Sequence, residues 1–220
     1  LGSKEINARL LFTGRVASPS GAALANGMCI DSIDAHDGHK LTKGHVGCGV
    51  LAGLLAYADT ERTLPYDEFL TALVIGYEIG TRAGIALHQS ACDYHTSGAW
   101  VALAVAAMGA RILKLDDSQT LEALGIAEYH APRSQMMRCI DHPTMVKDGS
   151  GVGAMTGVSA AYLAKEGFTG APAVLMDNPD LAELWADLGS SWRIFEQYFK
   201  PYPVCRWPQP SVQAVLNLRE

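Results

Sequence analysis

Apolar residues recur at three- and four-residue intervals along most of the chain, and a few short polar knots interrupt them. Residues 5–16 carry apolar positions at rough helical spacing, and Ser18-Pro19-Ser20-Gly21 is a break that can start the next helix. Over 22–33, Ala22, Ala23, Ala25, Met28, Cys29 and Ile33 form a small apolar face. From His45 onward Val46, Val50, Leu51, Leu54, Leu55 and Tyr57 predict a helix ending near Asp59. After the turn Thr63-Leu64-Pro65, a long helix is predicted over 66–86, with Phe69, Leu70, Leu73, Val74, Tyr77 and Ile79 on its apolar side. Residues 98–113 form another helix, rich in Ala, Gly and Val. Asp116-Asp117-Ser118 caps the next, over 119–128. Residues 130–138 read as a loop or broken helix. A helix with Gly151, Gly153, Ala154, Gly157, Ala160 and Ala161 follows, closed by Gly167-Phe168-Thr169-Gly170. Two shorter helices are expected over 180–188 and 191–198. Pro201, Pro203, Pro208 and Pro210 then mark a boundary. Alternating strands and fixed-period repeats are absent from the pattern. The expected fold is mainly α: one helical domain over residues 1–200, with 201–220 beginning a linker or further domain.

The polar knots change this picture from a plain bundle to one with a site. The first spans Asp31 to His45 and packs three histidines (His36, His39, His45), three aspartates (Asp31, Asp34, Asp37) and two lysines (Lys40, Lys43) between apolar stretches. The second is Cys92-Asp93-Tyr94-His95-Thr96-Ser97, and the third is Met145-Val146-Lys147-Asp148-Gly149-Ser150. His45, His95 and Lys147 each stand just before a helix rich in small residues, with Thr96, Ser97, Asp148 and Ser150 as candidate caps. Small residues let such helices approach closely, so their N-termini can converge, offering unpaired N–H groups and a positive partial charge that suit carboxylates.

Histidine beside aspartate exchanges protons near neutral pH, and lysine holds a carboxylate or the charge that develops on its α-carbon. Asp34, His45, His95 and Lys147 are therefore catalytic candidates. Arg133 and Arg138 are candidates for substrate binding or for plain ion pairing. Tyr94 reads more readily as packing than as a proton donor, Met136-Met137 as core filling, and His36 and His39 as solvated loop residues.

Composition limits the alternatives. The chain has 220 residues, a formal net charge of −6 and 49% hydrophobic residues, enough for a sizeable core. No basic stripe is present, so nucleic acid is not expected as a partner, and an anionic ligand would need locally gathered cations. The longest apolar runs fall short of the roughly 20 residues of a membrane span, and Leu1-Gly2-Ser3-Lys4 does not read as a signal peptide, so no membrane association is expected. The five cysteines are odd in number and lack C-x-x-C spacing. They read as buried free thiols in a reducing cytosol, which gives a cytoplasmic expectation, with Cys92 before Asp93-Tyr94-His95 a weak candidate nucleophile. Asp34, Asp37, His36, His39 and His45 are possible metal ligands, but their order matches no H-E-x-x-H or comparable motif, and no metal is expected. The glycines at 149–153 lack the order of a phosphate-binding P-loop.

Several pieces in order resemble the MmgE/PrpD family: Ala23-Leu-Ala-Asn26-Gly27 leading to Asp34-Ala-His-Asp37, then Lys43-Gly-His45-Val-Gly47, Tyr94-His95-Thr96-Ser97-Gly98 and Ala123-Leu124-Gly125-Ile126-Ala127. Met145-Val-Lys147-Asp-Gly-Ser-Gly151, Gly167-Phe-Thr-Gly170 and Lys200-Pro-Tyr-Pro203-Val-Cys205 continue it. The resemblance implies a large helical domain followed by an α/β lid domain largely absent from this chain, and a homodimer. It also implies cofactor-free acid–base chemistry on a small di- or tricarboxylate, as in 2-methylcitrate dehydratase, cis-aconitate decarboxylase or iminodisuccinate epimerase. It carries catalytic roles onto Asp34, His45, His95, Lys147 and Lys200, with His39, Arg133, Tyr94 and Ser97 as substrate-binding candidates. The leading expectation is a hydro-lyase of the 2-methylcitrate dehydratase kind. A dicarboxylate epimerase is the runner-up, and a non-catalytic helical dimerisation piece is the alternative from another class. Relatives often read Asp-x-Asp-Asp-Thr and follow the next histidine with proline, where this chain has His36, Gly38 and Val46.

Overall fold

The structure, a computed structural model, describes residues 6–219. It is mainly helical. The helices are α1 (Pro19–Ile33), α2 (Gly47–Thr60), α3 (Tyr66–Ser90), α4 (Gly98–Ile112), α5 (Asp117–His130), α6 (Met136–Asp141), α7 (Ser150–Lys165), α8 (Val174–Asp177), α9 (Glu183–Ala186) and α10 (Gln209–Arg219). Four two-residue strands complete it: β1 (Ala8–Arg9) pairs antiparallel with β2 (Val16–Ala17), and β3 (Asp37–Gly38) with β4 (Tyr198–Phe199).

Local chemistry sets the helix starts. Ser18 Oγ accepts the Gly21 N–H at 3.2 Å, and Pro19 fills the first turn of α1, where its missing N–H costs nothing. At α5 the Asp116 carboxylate accepts the Gln119 N–H at 2.8 Å while the Gln119 side chain accepts the Asp116 N–H at 3.1 Å, a reciprocal capping box.

The centre of the bundle is α4, apolar on every side. Trp100, Val101, Leu103, Val105 and Met108 are fully buried. Helices α2, α3, α5 and α7 pack around it, and α1 lies against α2 and α7. Full burial of a leucine such as Leu54 of α2 or Leu103 of α4 contributes roughly 1.5–3 kcal/mol. Small residues set the spacing between helices. A Cβ placed on Gly27 of α1 would lie 2.6 Å from the Gly151 Cα of α7, so the two backbones touch.

By length and composition α3 is the one helix among the described residues able to cross a membrane, yet it is a core helix, mostly buried, with Glu78 and Arg82 paired in its middle. Arg82 is fully buried. It meets Glu78 at 3.3 Å and Asp187 at 2.5 Å, and donates to the Leu184 and Ser191 carbonyls. Glu78 accepts the Ile194 N–H at 2.7 Å, and Gln197 donates to Thr81 at 3.0 Å. These bonds bind residues 184–197 along α3, and the chain then enters β4 and Lys200.

Three expectations are corrected. Residues 5–16 are not a helix. Over the described part, Phe12 and Gly14 have φ of 62° and 68°, which turn the chain back into the β1–β2 hairpin, and Asn26 holds the turn through the Leu11 N–H and the Arg9 carbonyl; Glu5 lies outside the described residues. The stretches 180–188 and 191–198 are one-turn pieces rather than helices: 3-10 turns at Pro179–Leu181 and Arg193–Glu196 flank α9. Gly189 with φ 84° interrupts them, and side chains of α3 bond the Leu184 and Ser191 carbonyls and the Ile194 N–H in addition to the local single-turn bonds. The cysteines are all free, but only Cys48 is buried, while Cys92 and Cys205 are exposed.

Candidate active site

The starts of α2, α4 and α7 meet at the end of α1, and the three polar knots close around one cavity of about 430 Å³, within the usual size for a small-molecule site. Asp31, Asp34, His36, Lys43, His45, Tyr94, Lys147 and Asp148 line its wall, together with Met136, Cys139, Ile140, Tyr198, Arg206 and Trp207.

Asp34 ends α1 in the left-handed region, φ 56°, a conformation that aspartate tolerates better than most residues. There its carboxylate turns toward two lysines. Lys147 Nζ donates to Oδ2 at 3.1 Å, and Lys200 Nζ to Oδ1. Burial alone would push the Asp34 carboxyl up, but the two ammoniums more than offset this and hold it below the usual carboxylate range. For Lys147 burial likewise works against the charge and the Asp34 partnership prevails, raising its pKa. Lys147 itself sits at φ 46°, which aims the side chain out of the 145–149 turn toward Asp34.

His45 is fixed on three sides. Its N–H donates to Ser97 Oγ at 2.9 Å, its Nδ1–H donates to the Asp37 carbonyl, and its ring packs at a tilt against His36 with centroids 4.1 Å apart. A carbonyl only accepts, so the Nδ1 bond sets the tautomer and leaves the Nε2 lone pair open. Nε2 lies 3.7 Å from Asp148 Oδ2. Burial, followed by the charge of His36, lowers the His45 pKa to about 3, so the ring is neutral at physiological pH. Burial and the nearby Asp31 raise the Asp148 carboxyl to about 6.

The other candidates divide. Tyr94 lines the cavity, its hydroxyl donates to the Lys43 carbonyl, and burial raises its pKa. Ser97 sits behind the wall and bridges the first and third knots, accepting from His45 and donating to Asp148 Oδ2 at 2.9 Å. Lys200, with a side chain 1% exposed, lies behind Asp34 rather than in the wall. His95 is buried next to His88, whose Nε2 accepts the His95 N–H at 3.2 Å, and its Nδ1 has no hydrogen-bond partner within the protein. His39 stands apart from the cavity: Nδ1 accepts the Leu41 and Thr42 N–H groups at 3.3 and 3.4 Å, and Nε2–H donates to Glu196 at 2.8 Å. Arg133 and Arg138 are exposed and outside the wall.

The solvated-loop reading of His36 and His39 is corrected, since their side chains are 5% and 1% exposed. His36 Nε2 lies 3.3 Å from Asp31 Oδ1 and 3.8 Å from Asp34 Oδ1. The candidate caps also behave differently: neither α4 nor α7 has a side-chain cap bond, because Ser97 and Asp148 are turned to each other. Asp31 and Lys43, named within the first knot but given no role of their own, line the cavity, and so does Arg206, which the sequence reading did not single out. Asp31 had a signal, since it stands in the last turn of α1 only three residues before Asp34.

Asp34, His36 and His45 place ligand atoms within 4.8 Å of one another, as do Asp31, His36 and Cys48. Neither set suits a metal cation. Each Asp34 oxygen is taken by an ammonium, and burial raises the Cys48 pKa well above the usual range, which keeps the thiol protonated. The cluster instead sets one open imidazole nitrogen and one lysine in the lining of the same cavity, an arrangement suited to taking a proton from a carbon next to a carboxylate.

A family model described as the MmgE/PrpD N-terminal domain matches residues 2–188. The cis-aconitate decarboxylase-like protein oryM of Aspergillus oryzae is 28% identical over 162 residues, covering 69% of this chain and 33% of that protein. Cis-aconitate decarboxylase of Aspergillus terreus is 25% identical over 241 residues, covering 96% of this chain and 48% of that protein. The chain thus spans half or less of the length of these relatives.

Proposed function

The chain belongs to the MmgE/PrpD family, and on that premise we propose that it is the helical part of a cofactor-independent lyase acting on a small di- or tricarboxylate. The observation that carries this reading is the tautomer of His45: its Nδ1–H is engaged by the Asp37 carbonyl, so Nε2 is the base. His45 takes a proton from the carbon α to a substrate carboxylate. Lys147, in the wall, steadies that carboxylate as negative charge spreads onto it. Asp34 holds Lys147 and Lys200 in place, and His95 is the second proton-handling candidate.

That carbanion serves loss of water; in a decarboxylation the electron pair would come instead from the bond to the departing carbon dioxide, and protonated His45 would donate its proton to the resulting carbanion. The names of the two relatives put cis-aconitate first among the substrates to test. The test is incubation in heavy water with cis-aconitate, citrate, 2-methylcitrate and iminodisuccinate, followed by proton NMR, with His45→Gln as control. Deuterium at an α-carbon, or a new vinyl signal, that disappears in the control supports the reading. Silence from all four, both for this chain and for a longer chain that continues past Glu220, sinks it.

A further inference from the structure

We propose that Asp148 is a positioning residue for His45: its carboxylate, clamped by Ser97, faces the open Nε2 and stabilises the imidazolium that forms when His45 takes a proton. The inference rests on the lyase reading for its kinetic consequence, but not for the coupling between the two side chains.

The geometry is specific. The Ser97 hydroxyl is used twice, accepting the His45 N–H and donating to Asp148 Oδ2, each at 2.9 Å. One buried hydroxyl therefore fixes both partners at once. The Asp148 carbonyl accepts the Gly98 N–H at 3.0 Å, which ties the 145–149 turn to the first residue of α4. Oδ2 stands 3.7 Å from Nε2. That is beyond a hydrogen bond to the neutral ring, yet within the range where a charge on one group acts strongly on the other in a buried site. Because Nδ1–H is committed to the Asp37 carbonyl, only Nε2 can take a proton, and Asp148 Oδ2 is 3.7 Å from that nitrogen.

His45 needs such a partner. Burial and His36 hold its pKa at about 3, which makes the isolated ring a weak base. In the step itself the C–H electron pair stays with the substrate, spread into the adjacent carboxylate, and the proton moves to Nε2. His45 becomes a cation, and the Asp148 anion opposes that new charge. Asp148 has to be ionised to do this. Its own carboxyl is raised to about 6, so it is mostly ionised at neutral pH and neutral below that. The charged and titratable groups around it are Asp31 and Asp34 from the end of α1, His36 and His45 from the loop before α2, and Tyr94 before α4. Cys48 of α2, Cys139 of α6 and Lys147 of its own turn complete the set.

The test uses the whole chain with ¹⁵N-labelled histidines, His45 being assigned through His45→Gln. Between pH 4.5 and 8, the His45 Nε2 signal should stay that of a neutral ring and show one step near pH 6 as Asp148 ionises. Asp148→Asn should abolish the step, while circular dichroism and unfolding temperature confirm the fold. Ser97→Ala, which removes the donor to the carboxylate, should move the step to higher pH and keeps the proposal testable if Asp148→Asn does not fold. A step that survives Asp148→Asn overturns the proposal, as does a flat curve in the unaltered chain. With whichever carboxylate turns over, Asp148→Asn should lower kcat about 10²-fold with KM within twofold. A raised KM at unchanged kcat overturns the positioning role. If no carboxylate turns over, the lyase reading fails, and the imidazole titration still decides the coupling.

Discussion

Asp34 and Lys200 stand 166 residues apart in sequence, and their side chains meet as an ion pair that Lys147 joins from the other carboxylate oxygen. One carboxylate thus gathers the end of α1, the turn before α7 and the segment after β4. Asp34→Asn removes the counter-charge of a lysine whose side chain is 1% exposed. Leaving such a charge unpaired should cost about 3 kcal/mol and abolish turnover. Lys200→Met should cost less, because it removes the buried cation and leaves Asp34 with Lys147. A double-mutant cycle by urea unfolding should show a coupling above about 0.5 kcal/mol. Additive effects would mean that the pair does not act as described.

Gly27 and Gly151 are the contact through which α1 and α7 carry Asp34 toward Lys147. A Cβ on Gly27 meets the Gly151 Cα at 2.6 Å and its N at 3.1 Å, and backbone on both sides cannot step aside. Gly27→Ala should destabilise the chain by about 1–3 kcal/mol and weaken turnover, read by thermal unfolding and by the NMR assay. Unchanged stability would show that the helices have room to part.

Most of this fold was legible in the sequence because α1, α2, α3, α4, α5 and α7 draw stability from periodic burial, which the chain spells out directly. Residues 180–198 were misread for a physical reason. Their apolar spacing suggests helices, but their local bonds stop after single turns, and the Leu184 and Ser191 carbonyls and the Ile194 N–H are taken by Arg82 and Glu78, more than a hundred residues earlier. No local pattern announces such a partnership. The site shows the same division. The expected convergence of His45, His95 and Lys147 rested on their shared place before small-residue helices; His45 and Lys147 do line one cavity, with Tyr94 rather than His95 from the second knot, and the burial of His36 depends on Asp31 and the His45 ring, which only the folded chain brings to it.

Arg82 carries the consequence of that partnership. It is fully buried and binds Glu78, Asp187 and two carbonyls of the 184–191 segment. Arg82→Met should destabilise by about 3–5 kcal/mol, since Glu78 is left buried without its cation. It should also free residues 184–200 before the core opens, seen as early proteolysis in that segment. Global unfolding with no early cut would place the strap within the core's own cooperative unit.

His36 packs at a tilt against His45 and, after burial, is the next cause that lowers its pKa, through charge. His36→Asn keeps a polar side chain toward Asp31 and removes the ring and its charge. The His45 pKa should then rise from about 3 toward its ordinary value, followed by the same imidazole titration. A His45 that titrates no differently would leave burial alone responsible.

The pH dependence of stability follows from groups whose folded pKa values are moved in opposite senses. His88 is lowered to about 4, mainly by burial and then by Lys43, and His45 to about 3, while an unfolded histidine titrates near 6.5. Between those values the unfolded chain binds protons that the folded chain refuses, so stability falls as pH drops below about 6.5. Asp148 runs the other way. Its folded carboxyl is at about 6 against an unfolded value near 3.9, so it holds a proton that the unfolded chain releases, and stability rises as pH falls through that window. Two histidines stand against one carboxylate, so the net expectation is an unfolding temperature that declines from pH 6.5 to pH 4.5. His88→Gln keeps an acceptor for the His95 N–H and removes the titration, and it should flatten that decline. Thermal scans of both proteins across this range decide it: parallel curves would mean that His88 binds its proton equally well folded and unfolded, and that its burial among Tyr94, His95 and Trp100 does not control its charge.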